Sequence, residues 1–190
     1  REGANPARWK GHLSLTLPSK RKVSPVQHHK AIPVSEIPTF FKALQKREGT
    51  AARALELLTL TAARSGELRG MRWEEIDLAK KTWTVPAARM KAGKEHRVPL
   101  SKPAIQLLMG QPTRKQGGLV FPGSKSGTQM SDMSITAVMR RMQVIGVPHG
   151  LRSSFRDWVG EETSYPSEVA EMALAHAVGS AVEAAYRRGD

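Results

Sequence analysis

The sequence predicts a mainly α-helical domain with one small antiparallel β-sheet on its edge, an α+β arrangement. Two observations carry this. Apolar residues recur at helical spacing from about residue 35 to 63 and again beyond Pro103. Between these regions the chain offers only short, β-branched stretches around a glycine-containing turn. With 190 residues, 39% hydrophobic, and four Trp, the chain can bury one core of ordinary domain size.

The elements follow in order. The first thirty residues hold three prolines and seven basic residues against one acidic residue, which reads as a linker or strap. Ser35 is a plausible N-cap, with Ile37, Phe40, Phe41 and Leu44 forming a helical stripe behind it. "TAARALELLTLTAA" is a strongly apolar second helix running to about Ala63, followed by a break at Ser65-Gly66 and a further short helical turn. "EEIDLAKKTWTVP" contains two short strands and "HRVPL" a third, the last two joined across "AARMKAGKEH" as a hairpin. Helices are expected at roughly 103–109, 131–145, 149–162, 166–175 and 178–187. Leu119-Val120-Phe121 is a small buried strand inside an otherwise exposed loop.

Charge narrows the partners. Thirty Lys and Arg against 17 Asp and Glu leave a formal net charge of +13, which points to a polyanion, most simply nucleic acid. No long apolar run or interfacial basic helix argues for a membrane. The absence of cysteine excludes disulfides and Cys-ligated zinc, and fits a reducing cytoplasm. Seven basic residues against Glu95 between Lys80 and Lys102 make that hairpin a phosphate-tracking edge, with Lys80, Lys81, Arg89, Lys94 and Arg97 as candidate DNA contacts. Arg140 and Arg141 extend the edge. Glu161, Glu162, Glu168 and Glu171 form an acidic group expected to face solvent or a partner.

Four stretches place candidate chemistry. In "TAARSGELRGMRW", Arg64 and Glu67 share a helical face, so the carboxylate can orient the guanidinium. "RMKAGKEHRVPLS" puts Lys91 in the hairpin turn. "PHGLRSSFRDW" sets His149 and Arg152 one turn apart at the start of a helix. "LAHAVGSAVEAAYRRGD" carries His176 ten residues before Tyr186. Each has a plain reading: a surface ion pair, a solvated lysine, a chance His and Arg on a basic helix, a capping histidine, a tyrosine plugging a groove. No one of them is decisive alone.

Their order is specific. Arg64, Lys91, His149-x-x-Arg152, His176 and Tyr186, spread over a helix-and-hairpin domain, resemble the catalytic set of the tyrosine recombinases, or phage integrases. "WEEID" after the first arginine, "RMKAGKE" before "HRVPLS", and "AVEAAYRRGD" at the end resemble integrases of prophages and integrative islands, the satellite-phage branch. "NPARW", the His28-His29 pair and "IPTF" resemble that branch's junction between core-binding and catalytic domains. The resemblance implies a tyrosine recombinase catalytic domain over residues 31–190, truncated just after the nucleophile, with 1–30 a linker from a missing core-binding domain. Two departures stand out: Leu-Ala-His where many relatives have Leu-Gly-His, and an interval from His176 to Tyr186 one residue longer than in the best-known members.

The resemblance assigns roles. Tyr186 is the nucleophile on DNA phosphorus, carried on a short mobile helix, and its phenol, which ordinarily titrates near ~10, requires activation. Arg64 and Arg152 grip the non-bridging oxygens, His176 hydrogen-bonds the same phosphate, Lys91 protonates the leaving 5′-oxygen, and His149 accepts the tyrosine proton. Glu67 supports the site from behind. No cofactor and no metal are expected, since arginines supply the charge. The expected partners are double-stranded attachment-site DNA, further integrase protomers in a synaptic tetramer, and accessory DNA-bending or excision factors, in a bacterial cytoplasm. A type IB topoisomerase-like nicking enzyme uses the same set and differs in outcome. A non-catalytic DNA-binding module would predict a broken set, and a basic RNA-binding protein has only the charge in its favour.

Overall fold

A computed structural model describes residues 5, 7–18, 29–125 and 127–176. The predicted helix at 178–187 and Tyr186 on it lie outside the described residues, as does His28. Near the N-terminus, Trp9–Leu13 and Ser14–Thr16 form short helical turns that bury no residue.

The helices are α1 (Ile37–Gln45), α2 (Thr50–Thr61), α3 (Ser65–Arg69), α4 (Lys102–Met109), α5 (Asp132–Arg141), α6 (Gly150–Glu162) and α7 (Ser167–Ala173). Between α3 and α4 run three strands, β1 (Ile76–Asp77), β2 (Thr82–Val85) and β3 (His96–Pro99). They form one antiparallel sheet in the order β1-β2-β3, with Trp83 opposite both Ile76 and Val98, and Val85 opposite His96. Trp83 and Val85 alternate inward along β2 and are fully buried, as period-two patterning requires. The Trp83 indole N–H is not orphaned, because it donates to Glu75 Oε2 at 3.1 Å.

Helix α2 is the centre of the core. Ala54, Leu55 and Leu57 have no exposed surface and Leu58 almost none, and the helix packs against α1, α4 and α5. Such all-round burial explains why its sequence is apolar on nearly every face. Among the described residues, no helix is long and apolar enough to cross a membrane.

The structure departs from the expected boundaries at five places. Ser35 does not cap α1: Val34–Glu36 form a 3-10 turn ahead of it, and Pro38 sits in its first turn. Ser65-Gly66 is the start of α3, because Ala62 at φ +50 has already ended α2 in a left-handed cap. The hairpin connection contains a 3-10 turn, Ala87–Arg89, before its tight bend at Gly93. Helix α5 stops at Arg141, and Gln143 at φ +56 reverses the chain shortly after. Leu119-Val120-Phe121 is not a strand. Leu119 makes a single bridge to Arg72, and Val120 and Phe121 are buried by packing without a ladder.

Candidate active site

The left-handed residue that ends α2 also begins the site. Ala62 turns the chain so that Arg64 stands extended at the head of α3, where its backbone N–H donates to Glu67 Oε2 at 3.1 Å. The Arg64 guanidinium donates to the other carboxylate oxygen at 2.8 Å. Glu67 is 4% exposed, so both its oxygens are engaged out of water, and the pair aims the partly exposed guanidinium outward. The reading of Arg64 and Glu67 as one unit is what the structure contains.

The guanidinium opens on a cleft of about 410 Å³ whose lining includes Arg64, Glu67, Met90, Lys91 and His149. Lys91 is exposed on the hairpin turn and reaches the cleft from the sheet side. His149 stands at the head of α6, its ring edge-on to His29 with centroids 4.6 Å apart. Burial lowers the His149 pKa, and His29, Arg152 and Arg64 lower it further, so the ring favours its neutral form.

Arg152 is 5% exposed and is clamped from behind. Its Nη1 donates to the Ala62 carbonyl at 2.6 Å, and its Nη2 to the Leu174 carbonyl at 2.5 Å. Nη2 also lies 3.1 Å from His176 Nε2, which must therefore present a lone pair. Burial first, and the nearby Arg64 second, lower the Arg152 pKa to about 10, which leaves it cationic at neutral pH. His176 in turn has its Nδ1 2.6 Å from Glu171 Oε2, and Glu171 Oε1 pairs with Arg156 at 3.0 Å.

Glu171 thus departs from the expected acidic face: it turns inward onto His176 and Arg156. Sequence reasoning alone also gives no role to His96, whose Nε2 approaches the Ala173 carbonyl at 3.3 Å and whose pKa is lowered by burial. Its position opposite Val85 in the sheet, beside a helix distant in sequence, leaves no local signal.

The candidate DNA contacts divide. Lys81, Lys94, Arg97, Arg140 and Arg141 are exposed, with Arg97 bonded to Glu95 at 3.2 Å. Lys80 is exposed and 3.4 Å from Asp77. Arg89 is different: it pairs with Glu75, the same carboxylate that receives the Trp83 indole, so it braces the sheet while also lining the cleft.

The phage integrase family profile matches residues 30–190. Prophage integrase IntZ of Escherichia coli K12 is 40% identical over 153 residues, 78% of this chain and 38% of that protein. The integrase of enterobacteria phage P4 is 34% identical over 183 residues, 84% of this chain and 41% of its own length. The chain therefore spans about two fifths of the curated relatives it matches. Among solved structures, a lambda integrase tetramer bound to a Holliday junction superposes with a TM-score of 0.60 at 18% identity, over 82% of this chain and 49% of that one. With its mainly helical fold, its three-stranded edge sheet and this match over most of its length, the chain belongs to the phage integrase family.

Proposed function

We propose that this chain is the catalytic part of a site-specific DNA recombinase that integrates or excises a mobile element through a 3′-phosphotyrosine intermediate. One observation carries the reading: Arg64, Lys91 and His149 line one open cleft, with Arg152 and His176 in contact beside it. In the proposed reaction Tyr186 Oη attacks the scissile phosphorus as the bond to the 5′-oxygen breaks. His149, held toward its neutral form, takes the phenol proton, and Lys91 gives a proton to the departing 5′-oxygen. Arg64 and Arg152 carry the charge on the non-bridging oxygens. Arg152 has five N–H donors and three are engaged, so two remain for phosphate among the described residues. Reversal of the same steps by another strand's 5′-hydroxyl rejoins DNA without ATP.

Attachment-site DNA and further protomers in a tetramer are the proposed partners, on the likeness to the junction-bound lambda integrase tetramer. Accessory DNA-bending or excision factors and action at the bacterial nucleoid belong to the same reading. The exposed cations Lys81, Lys94, Arg97, Arg140 and Arg141 are proposed to track the DNA backbone.

The test uses a duplex nicked next to the candidate cleavage phosphate, so that religation is trapped. The expected result is a covalent protein–DNA band on a denaturing gel, absent in Tyr186→Phe. A band persisting in Tyr186→Phe assigns the nucleophile elsewhere. Failure of the full-length protein to form the adduct on its own attachment site sinks the recombinase reading in favour of a DNA-binding module.

A further inference from the structure

We propose that Glu171 is a positioning residue that fixes the tautomer and orientation of His176. The inference rests on the reading of His176 as a phosphate contact. The ring is held at both nitrogens. Nδ1 donates to Glu171 Oε2 at 2.6 Å, and Nε2 faces Arg152 Nη2 at 3.1 Å. An arginine nitrogen is only ever a donor, so Nε2 carries the lone pair and Nδ1 carries the proton. Free neutral imidazole has no such constraint, and the tautomer in a protein is set by the bond the other nitrogen makes.

Glu171 is suited to hold that choice. Its side chain is 20% exposed, its other oxygen is tied to Arg156 on α6, and its backbone carbonyl accepts the His176 N–H at 2.9 Å. The carboxylate is therefore anchored from α6 and α7 together. Among the described residues, the groups facing the ring are Glu171 from α7 and Arg152 from α6, with Arg156 behind the carboxylate and His149 within electrostatic range. With Nδ1–H bound to a carboxylate, Nε2 is kept facing Arg152, beside the position assigned to the phosphate, without any turn of the ring. From Glu171 the polar contacts continue to Arg156 as an ion pair at 3.0 Å, and Arg156 is not among the residues lining the cleft.

The experiment reads His176 directly. Imidazole nitrogen-15 shifts of the DNA-free protein at pH 8, assigned by difference from His176→Asn, report which nitrogen bears the proton. Wild type and Glu171→Gln are expected to show the Nδ1–H form, because an amide oxygen still accepts; in Glu171→Ala the ring, 40% exposed, has no anchor holding Nε2 against Arg152, leaves that donor and loses the form. Covalent-complex formation on the nicked duplex is expected to fall at least about tenfold in Glu171→Ala and to stay within about threefold of wild type in Glu171→Gln. Thermal melting of the two variants shows whether either is merely unfolded, and Glu171→Gln keeps the test open if Glu171→Ala is. Retention of the Nδ1–H form in a folded Glu171→Ala protein overturns the proposal whatever happens to cleavage. So does loss of that form with an undiminished cleavage rate. If wild type forms no adduct, the recombinase reading fails by itself, while the tautomer still decides whether Glu171 holds the ring.

Discussion

Arg152 Nη1 donates to the carbonyl oxygen of Ala62, a residue ninety positions earlier in the chain, at 2.6 Å. This bond joins the head of α6 to the left-handed turn that launches Arg64, so two of the cations assigned to the phosphate are set by one contact. Lysine cannot replace it, since one ammonium cannot span the Ala62 and Leu174 carbonyls and His176 together. Arg152→Lys is expected to leave at least one buried acceptor without a donor, at a cost of about 1–3 kcal/mol. Calorimetry without DNA checks it: a melting point lowered by about 2–4 °C per kcal/mol is the expected result, and an unchanged one rejects the clamp.

A residue of strained backbone lies at one Arg152 carbonyl partner and directly after the other. Ala62 accepts the bond at φ +50, and Ala175, also at φ +50, follows the Leu174 acceptor directly. The sequence departure of Ala for Gly before His176 therefore falls on a backbone conformation that glycine adopts freely. An L residue costs about 1–2 kcal/mol there, against about 0.4–1 kcal/mol of extra unfolded-state entropy for glycine. Ala175→Gly is expected to raise stability by up to about 1 kcal/mol, read as a higher urea midpoint at constant slope.

Gly150 admits the backbone of Lys30 and Ala31 across the head of α6. A Cβ on it would lie 2.1 Å from the Lys30 carbonyl oxygen and 2.9 Å from Ala31 Cα, both backbone atoms that cannot swing aside. The Ser154 hydroxyl donates to the Ile32 carbonyl, and the Val147 N–H to that of Lys30, in the same seam. Gly150→Ala is expected to lift residues 29–32 off the helix, destabilise by at least about 2 kcal/mol, and separate His29 from His149. Chemical denaturation gives the first effect, and loss of the His29 to His149 ring cross-peak gives the second.

His149 and His96 both have pKa values lowered in the folded protein, chiefly by burial. In the unfolded chain each protonates near ~6.5, while the folded protein resists the proton to lower pH. Their contribution is therefore present above about 6.5 and is lost as pH falls through the folded values. Denaturation midpoints at pH 7.5 and 5.5 are expected to differ more in wild type than in His149→Gln or His96→Gln. On the proposed mechanism the acidic limb of the cleavage profile lies below 6.5, since neutral His149 is the base. A limb above 6.5 would contradict that role.

Interactions within one helical turn were legible because their geometry is fixed by the helix. The apolar stripe of α1 follows from local periodicity, and Arg64 meets Glu67 three residues on because extended Arg64 caps the helix that carries Glu67. The net charge of +13 and the ordered set of Arg, Lys, His and Tyr residues pointed to DNA and to the family before any fold was known. What the sequence could not decide were contacts between segments whose encounter depends on packing. Nothing near Arg89 marks its pairing with Glu75, and nothing near Glu171 turns it from the acidic face toward His176. Leu119-Val120-Phe121 has the composition of a strand, yet burial there comes from side chains packed into the core with one bridge and no partner ladder. Local pattern sets which face of an element is apolar. Only the tertiary structure selects which distant carbonyl, carboxylate or ring that face meets, and at Arg152 this choice aligns the site.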